Sequence, residues 1–218
     1  MPGERLQHAL DALQRGRDEA VAGCRDAAVE GFRSAAALAP EDAQVQLRAG
    51  EGLGNLGLIA EAEACFLAAL ARDPRLHLAR FNLALAKLAG GAPHDAVPLL
   101  TEVVRARPDV APAWLHLGGA LNAQGKYPQA GEALSRYLQT APQDPVGLTW
   151  MGASMQFRGL FNDAERYYRA ALVSDPDFSD AHANLGKLLQ AQGKPAVAAD
   201  HFRRVLQADP SHPQALSG

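Results

Sequence analysis

Six prolines, Pro40, Pro74, Pro108, Pro142, Pro176 and Pro210, recur every 34 residues along the chain. Four further columns keep the same step. One is all glycine: Gly23, Gly57, Gly91, Gly125, Gly159 and Gly193. A second is all alanine: Ala28, Ala62, Ala96, Ala130, Ala164 and Ala198. A third is small, with Gly16, Gly50, Ala84, Gly118, Gly152 and Gly186, and a fourth is bulky, with Phe32, Phe66, Leu100, Leu134, Tyr168 and Phe202. Columns in register over six copies exclude coincidence, and a fixed period of this length marks a tandem array of one supersecondary unit. The units run 9–42, 43–76, 77–110, 111–144, 145–178 and 179–212, so that 1–218 reads as a single array, with 213–218 opening a further helix or tail.

The fourth unit displays the physics most clearly. Trp114, Leu117, Gly118 and Leu121 fall at i, i+3, i+4 and i+7, one face of a helix. Gly125 ends that helix, because only glycine enters the left-handed cap without penalty. Pro128 suits the first turn of a second helix, Ala130, Leu134, Tyr137 and Leu138 line one face of it, and Pro142 stops it. Each unit is therefore expected to be an antiparallel helix pair with small residues where the two backbones approach. Bulky residues such as Trp114, Leu134 and Tyr137 are expected to fill the gaps towards neighbouring units. A single pair cannot bury its own apolar face, so the pairs must stack, and a constant rotation per unit winds the stack with first helices on the inner wall.

Composition narrows the function. Net charge is −3 and no basic lobe stands out, which argues against a nucleic-acid partner. No run approaches the roughly 18 apolar residues of a membrane helix. The first residues, Met1 to His8, lack an apolar signal core, and a cytoplasmic location is expected. Cys24 and Cys65 match no zinc or redox spacing and read as reduced thiols packed in helices. No two histidines stand three or four apart, so helical metal-ligand spacing is missing, and no metal, cofactor or catalytic residue is expected. Gly52, Gly54 and Gly57 spell G-x-G-x-x-G, but no strand precedes them, so a dinucleotide site is not expected. Gly50, Gly52 and Gly54 within one helix each cost up to about 1 kcal/mol against alanine, which marks the second unit as a soft point. Pro98 inside a second helix is expected to kink it.

The series Trp114, Leu117-Gly118, Leu121, Gly125, Tyr127, Ala130, Leu134, Pro142 resembles the tetratricopeptide repeat, and the match covers 9–212. The resemblance implies an all-α fold, a right-handed α-solenoid of antiparallel helix pairs, and a non-enzymatic scaffold that binds a peptide or helical protein segment in its concave groove. The first unit departs from the pattern, with Ala12, Arg15 and Glu19 where bulky apolar residues are usual, as suits a capping repeat.

Helix geometry, with the groove that the resemblance implies, points to first-helix residues as its lining. One inner column is Gln14, Arg48, Asn82, His116, Trp150 and Asn184, and a neighbouring one is Leu13, Leu47, Phe81, Leu115, Thr149 and Ala183. Further along stand Glu51, Gly119, Asn122 and Lys187, with Phe157 at the flank. From these, Arg48, Phe81, Asn82, Leu115, His116, Asn122, Trp150, Phe157, Asn184 and Lys187 are the candidate binding residues. Amides hold a peptide backbone, and an apolar and aromatic strip suits an extended peptide or amphipathic helix. The lysines of a chaperone-tail carboxylate clamp are missing, and only Asn82 and Asn184 fill the asparagine ladder known from O-linked N-acetylglucosamine transferases.

Two further readings stand beside the scaffold. The alternative to the leading scaffold reading is the N-terminal partner- or substrate-recruiting domain of a larger enzyme of glycosyltransferase, sulfotransferase or hydroxylase type. Its last unit, with no solvating helix after it, also allows self-association through exposed repeat ends.

Overall fold

The computed structural model describes residues 2–216. Among these, thirteen helices and no strand occur. Helices α1 (Pro2–Val21), α2 (Arg25–Leu38), α3 (Ala43–Asn55), α4 (Ile59–Arg72), α5 (His77–Ala89) and α6 (Pro93–Ala106) precede the boundary between Val110 and Ala111, where the fold divides into two compact units. The second unit holds α7 (Ala111–Ala123), α8 (Tyr127–Thr140), α9 (Pro145–Phe157), α10 (Phe161–Ser174), α11 (Ser179–Ala191), α12 (Pro195–Ala208) and the short α13 (Pro213–Leu216). Within each unit, odd and even helices pair and every pair packs on the next, so that α1, α3 and α5 touch in file, as do α7, α9 and α11. Ser217 and Gly218, where the tail was expected to continue, lie outside the described residues, as does Met1.

The glycine column makes the turns. At Gly125 the backbone adopts φ +73°, Gly125 N–H donates to Asn122 O at 3.0 Å, and Lys126 N–H donates to Leu121 O at 2.9 Å. This is the Schellman arrangement, which satisfies carbonyls orphaned at a helix end. The proline column marks the other connection. Before it, Asp73, Asp175 and Asp209 each accept the N–H two residues on, as Asx turns. Asp175-Pro176-Asp177 is thus a turn rather than a pair of working carboxylates.

Packing joins the small and bulky columns inside one pair. A Cβ built on Gly118 would lie 2.5 Å from Leu134 Cγ, and one on Gly152 would lie 2.6 Å from Tyr168 Cε1. Leu134 therefore fills the gap within its own pair, not the gap between units that the periodicity suggests. Tyr137 does reach the next pair, against Gly147 at 2.7 Å from a built Cβ. In the first unit, Gly50 faces the Phe66 ring and Gly52 faces the Phe32 ring, at 2.7 and 2.5 Å from built Cβ atoms. Two of the three clustered glycines are thus required by close rings.

Buried polar side chains tie the pairs. Gln46, 4% exposed, donates to Ala36 O at 2.8 Å and to Ala39 O at 3.2 Å, closing the end of α2. Ser154, fully buried, donates to Tyr127 O at 2.7 Å. Helix α6 runs through Pro98 without interruption. Pro98 and His94, whose carbonyl loses a donor, are both exposed, so water can replace the missing bond. Helix α1 begins seven residues ahead of the first repeat, and Ala215 of α13 is buried in the apolar cluster that also holds Phe202 and Val205.

Candidate peptide-binding surface

In the second unit, three of the expected residues meet around one small residue. A Cβ built on Gly119 would lie 2.5 Å from Trp150 Cζ3, so the bare backbone of α7 is the seat of the half-buried indole from α9. His116 meets the indole edge-on, with ring centroids 6.5 Å apart at 64°. Asn122 Nδ2 donates to Trp150 O at 2.9 Å, while its Oδ1 is buried with no hydrogen-bond partner among the described residues. Burial holds the His116 imidazole below the ordinary histidine pKa, which keeps it neutral at neutral pH. Leu115 is half-buried beside it. At the end of α9, Phe157 is 66% exposed and stacks on Tyr127, with centroids 4.8 Å apart and planes 8° from parallel. Asn184 and Lys187 stand one turn apart on α11, both half-exposed.

In the first unit, Arg48 is exposed on α3, and Phe81 and Asn82 are half-buried on α5. Asn82 Nδ2 donates to Glu51 Oε1 at 3.0 Å, one turn beyond Arg48. The neighbouring inner column is largely core. Leu13, Leu47, Thr149 and Ala183 are 3%, 3%, 1% and 1% exposed, so only Phe81 and Leu115 of that column reach the surface.

Sequence spacing misses three features. Gly119 as the indole seat and Tyr127 as the platform for Phe157 are visible only once adjacent helices are in register. The third is a histidine pair. His182 Nε2–H donates to Pro176 O at 2.8 Å, which leaves its Nδ1 to accept from His201 Nδ1 at 2.8 Å. The two sit 19 residues apart on α11 and α12, beyond any local motif. Cys24 also departs from expectation. It is exposed at the cap before α2, where a hydrogen bond to Glu19 pushes its thiol pKa up; Cys65 is buried, and desolvation does the same. Among the described residues, no three His, Cys, Asp or Glu side chains gather to hold a metal ion, and no helix is long and apolar enough to cross a membrane.

Comparison with known proteins agrees with this architecture. Human protein O-mannosyl-transferase TMTC1 is 26% identical over 160 residues, which is 72% of this chain but only 18% of that protein's length. PilF of Pseudomonas aeruginosa superposes with a TM-score of 0.76 at 17% identity, covering 98% of this chain and 97% of that one. YrrB, described as a TPR protein with an unusual peptide-binding site, superposes with a TM-score of 0.69 at 20% identity, covering 87% and 97%. The sequence model of the tetratricopeptide repeat matches residues 81–145 and 156–213. With helix pairs, cap glycines and small–bulky packing all of that kind, the chain belongs to the tetratricopeptide repeat family, whose arrays are generally non-catalytic scaffolds for protein interaction.

Proposed function

We propose that the chain is an interaction scaffold that holds a peptide or helical segment of a partner protein along its first helices. The observation that carries this reading is the set of amide, aromatic and cationic side chains at equivalent first-helix positions: exposed Arg48 and half-buried Asn82 in the first unit, and half-buried His116, Trp150 and Asn184 in the second. Flanking them are Phe81, Leu115, Asn122, Phe157 and Lys187. Packing against neighbours holds Trp150 and Phe157 in place, so they would present apolar area at low entropic cost. Asn184 and Lys187 would supply backbone and acidic-group contacts. The peptide-binding site named for the similar fold of YrrB supports this reading.

Partner capture tests it. The chain is used as bait, with Asn184→Ala/Lys187→Ala as the surface variant and Val173→Ala, exposed on α10, as the control. The surface variant is expected to weaken the captured partner by about tenfold or more with unchanged helicity, and the control to bind normally. Equal capture by all three chains would move the site off the first helices.

A second reading is favoured by one observation: the similarity to a short part of a much longer transferase. In that reading the same surface recruits a substrate or partner for an attached catalytic domain. A native reading frame that ends at Gly218 would remove it.

A further inference from the structure

The three glycines of α3 do not play one role. Gly50 and Gly52 have no space for a side chain, because the Phe66 and Phe32 rings occupy it. A Cβ on Gly54 would meet only Ala62 Cβ, at 3.5 Å, an ordinary contact. The corresponding positions of the other repeats hold Ala20, Leu88, Asn122, Gln156 and Gln190, so this is the one repeat in which glycine stands there. Gly54 lines a hollow of about 410 Å³ between α3, α4 and α5.

The walls of the hollow are chemically divided. Ile59, Phe66 and Leu85 supply an apolar side. Glu51, Asn55 and Asn82 supply a polar one. The hydrogen bond from Asn82 Nδ2 to Glu51 Oε1 at 3.0 Å commits the donor end of that amide to the carboxylate. It leaves Asn82 Oδ1 and Glu51 Oε2 as acceptors. Among the described residues Glu51 forms no ion pair: Arg48 stands one turn away on α3 without pairing with it, and Lys87 of α5 is paired with Glu63.

An apolar wall with a carboxylate and amide oxygens at its rim matches one kind of side chain, a long methylene stem ending in a charged donor. We propose that this hollow is a subsite for a lysine or arginine side chain of the bound segment. The proposal rests on the scaffold reading above and adds to it the charge of the partner. The stem lies along Ile59, Phe66 and Leu85, and the cation meets Glu51 with support from the Asn82 carbonyl. Gly54 keeps the entrance open. The segment that binds the first unit therefore carries a basic residue.

Amide-resolved NMR of the full chain tests this, with the capped peptide acetyl-Gly-Lys-Gly-amide as probe, its norleucine analogue as the uncharged arm, and spermidine as the free-amine arm. The lysine peptide is expected to give saturable shifts at Gly54, Asn55 and Asn82 at millimolar concentration, and the norleucine peptide none. Glu51→Gln keeps the size of the side chain and its bond to Asn82, and is expected to weaken the lysine response by about tenfold, as for loss of a hydrogen bond to a charged group. Gly54→Leu is expected to abolish the response, and Gly54→Ala, which adds only the ordinary contact, keeps the variant series folded. Equal shifts from lysine and norleucine peptides, an unchanged response in Glu51→Gln, or saturation by spermidine alone would each overturn the subsite. Because partner capture is tested at Asn184 and Lys187 on α11, capture that survives a failed lysine titration overturns the subsite and leaves the scaffold reading standing.

Discussion

A methyl group added at Gly118 would sit 2.5 Å from Leu134 Cγ, and the same group added at Gly54 would sit 3.5 Å from Ala62 Cβ. Gly118 lies inside α7 and Gly54 in the last turn of α3, so alanine raises helix propensity by nearly 1 kcal/mol at the first and by less at the second. At Gly118 the clash outweighs that gain. Leu134 is fully buried and has nowhere to move, and Gly118→Ala is expected to lower stability by about 1–3 kcal/mol through overpacking. At Gly54 nothing opposes the gain, and Gly54→Ala is expected to raise stability by about 0.5–1 kcal/mol. Chemical denaturation of the two variants checks the opposed signs; equal signs would contradict the packing. The distinction is invisible in the sequence, where both are glycines in a helical pattern. Periodicity reports that a position is small, whereas the reason depends on which ring or methyl stands opposite. For the same reason the inner column was only half legible. Leu47 and Thr149 are buried while Phe81 and Leu115 reach the surface, because the space around one repeat position varies with the side chains facing it.

At the scale of the element, the readable features were those with a local cause. The turn glycines all adopt φ between +73° and +78°, and helix ends follow the glycine and proline columns. Less readable were features that depend on solvent or on a neighbouring element. Pro98 leaves α6 continuous because it lies on the wet side, and α1 extends to Pro2, where no repeated partner could signal it. Links between elements belong to the same class. Gln46 donates from α3 to two carbonyls at the end of α2, and this buried amide holds the first and second helix pairs in register. Gln46→Met keeps the volume and removes both bonds. It is expected to cost about 1–3 kcal/mol, read as a lower urea midpoint with an unchanged slope. An unaltered midpoint would mean that the Gln46 amide adds nothing to the joint between the pairs.

For the whole molecule, acid sensitivity follows from two imidazoles of the second unit. His116 is held below its ordinary pKa by burial. His201 is held down first by burial and then by His182, Arg204 and Arg169, with Asp200 opposing. Each takes up a proton less readily folded than unfolded. Their contribution to stability is therefore complete above the unfolded value of about 6.5 and is lost as pH falls through the lower folded values. The melting temperature is expected to drop between about pH 7 and pH 5, and His201→Gln to flatten part of that drop. A melting temperature that rises on acidification through this range would contradict the burial of both rings. The binding claim is tested most directly by mapping amide shifts of the full chain on addition of the captured partner segment. Shifts are expected at Arg48, Asn82, His116, Trp150, Asn184 and Lys187 on the first helices; shifts confined to exposed second-helix positions such as Leu67 and Val173 would contradict it.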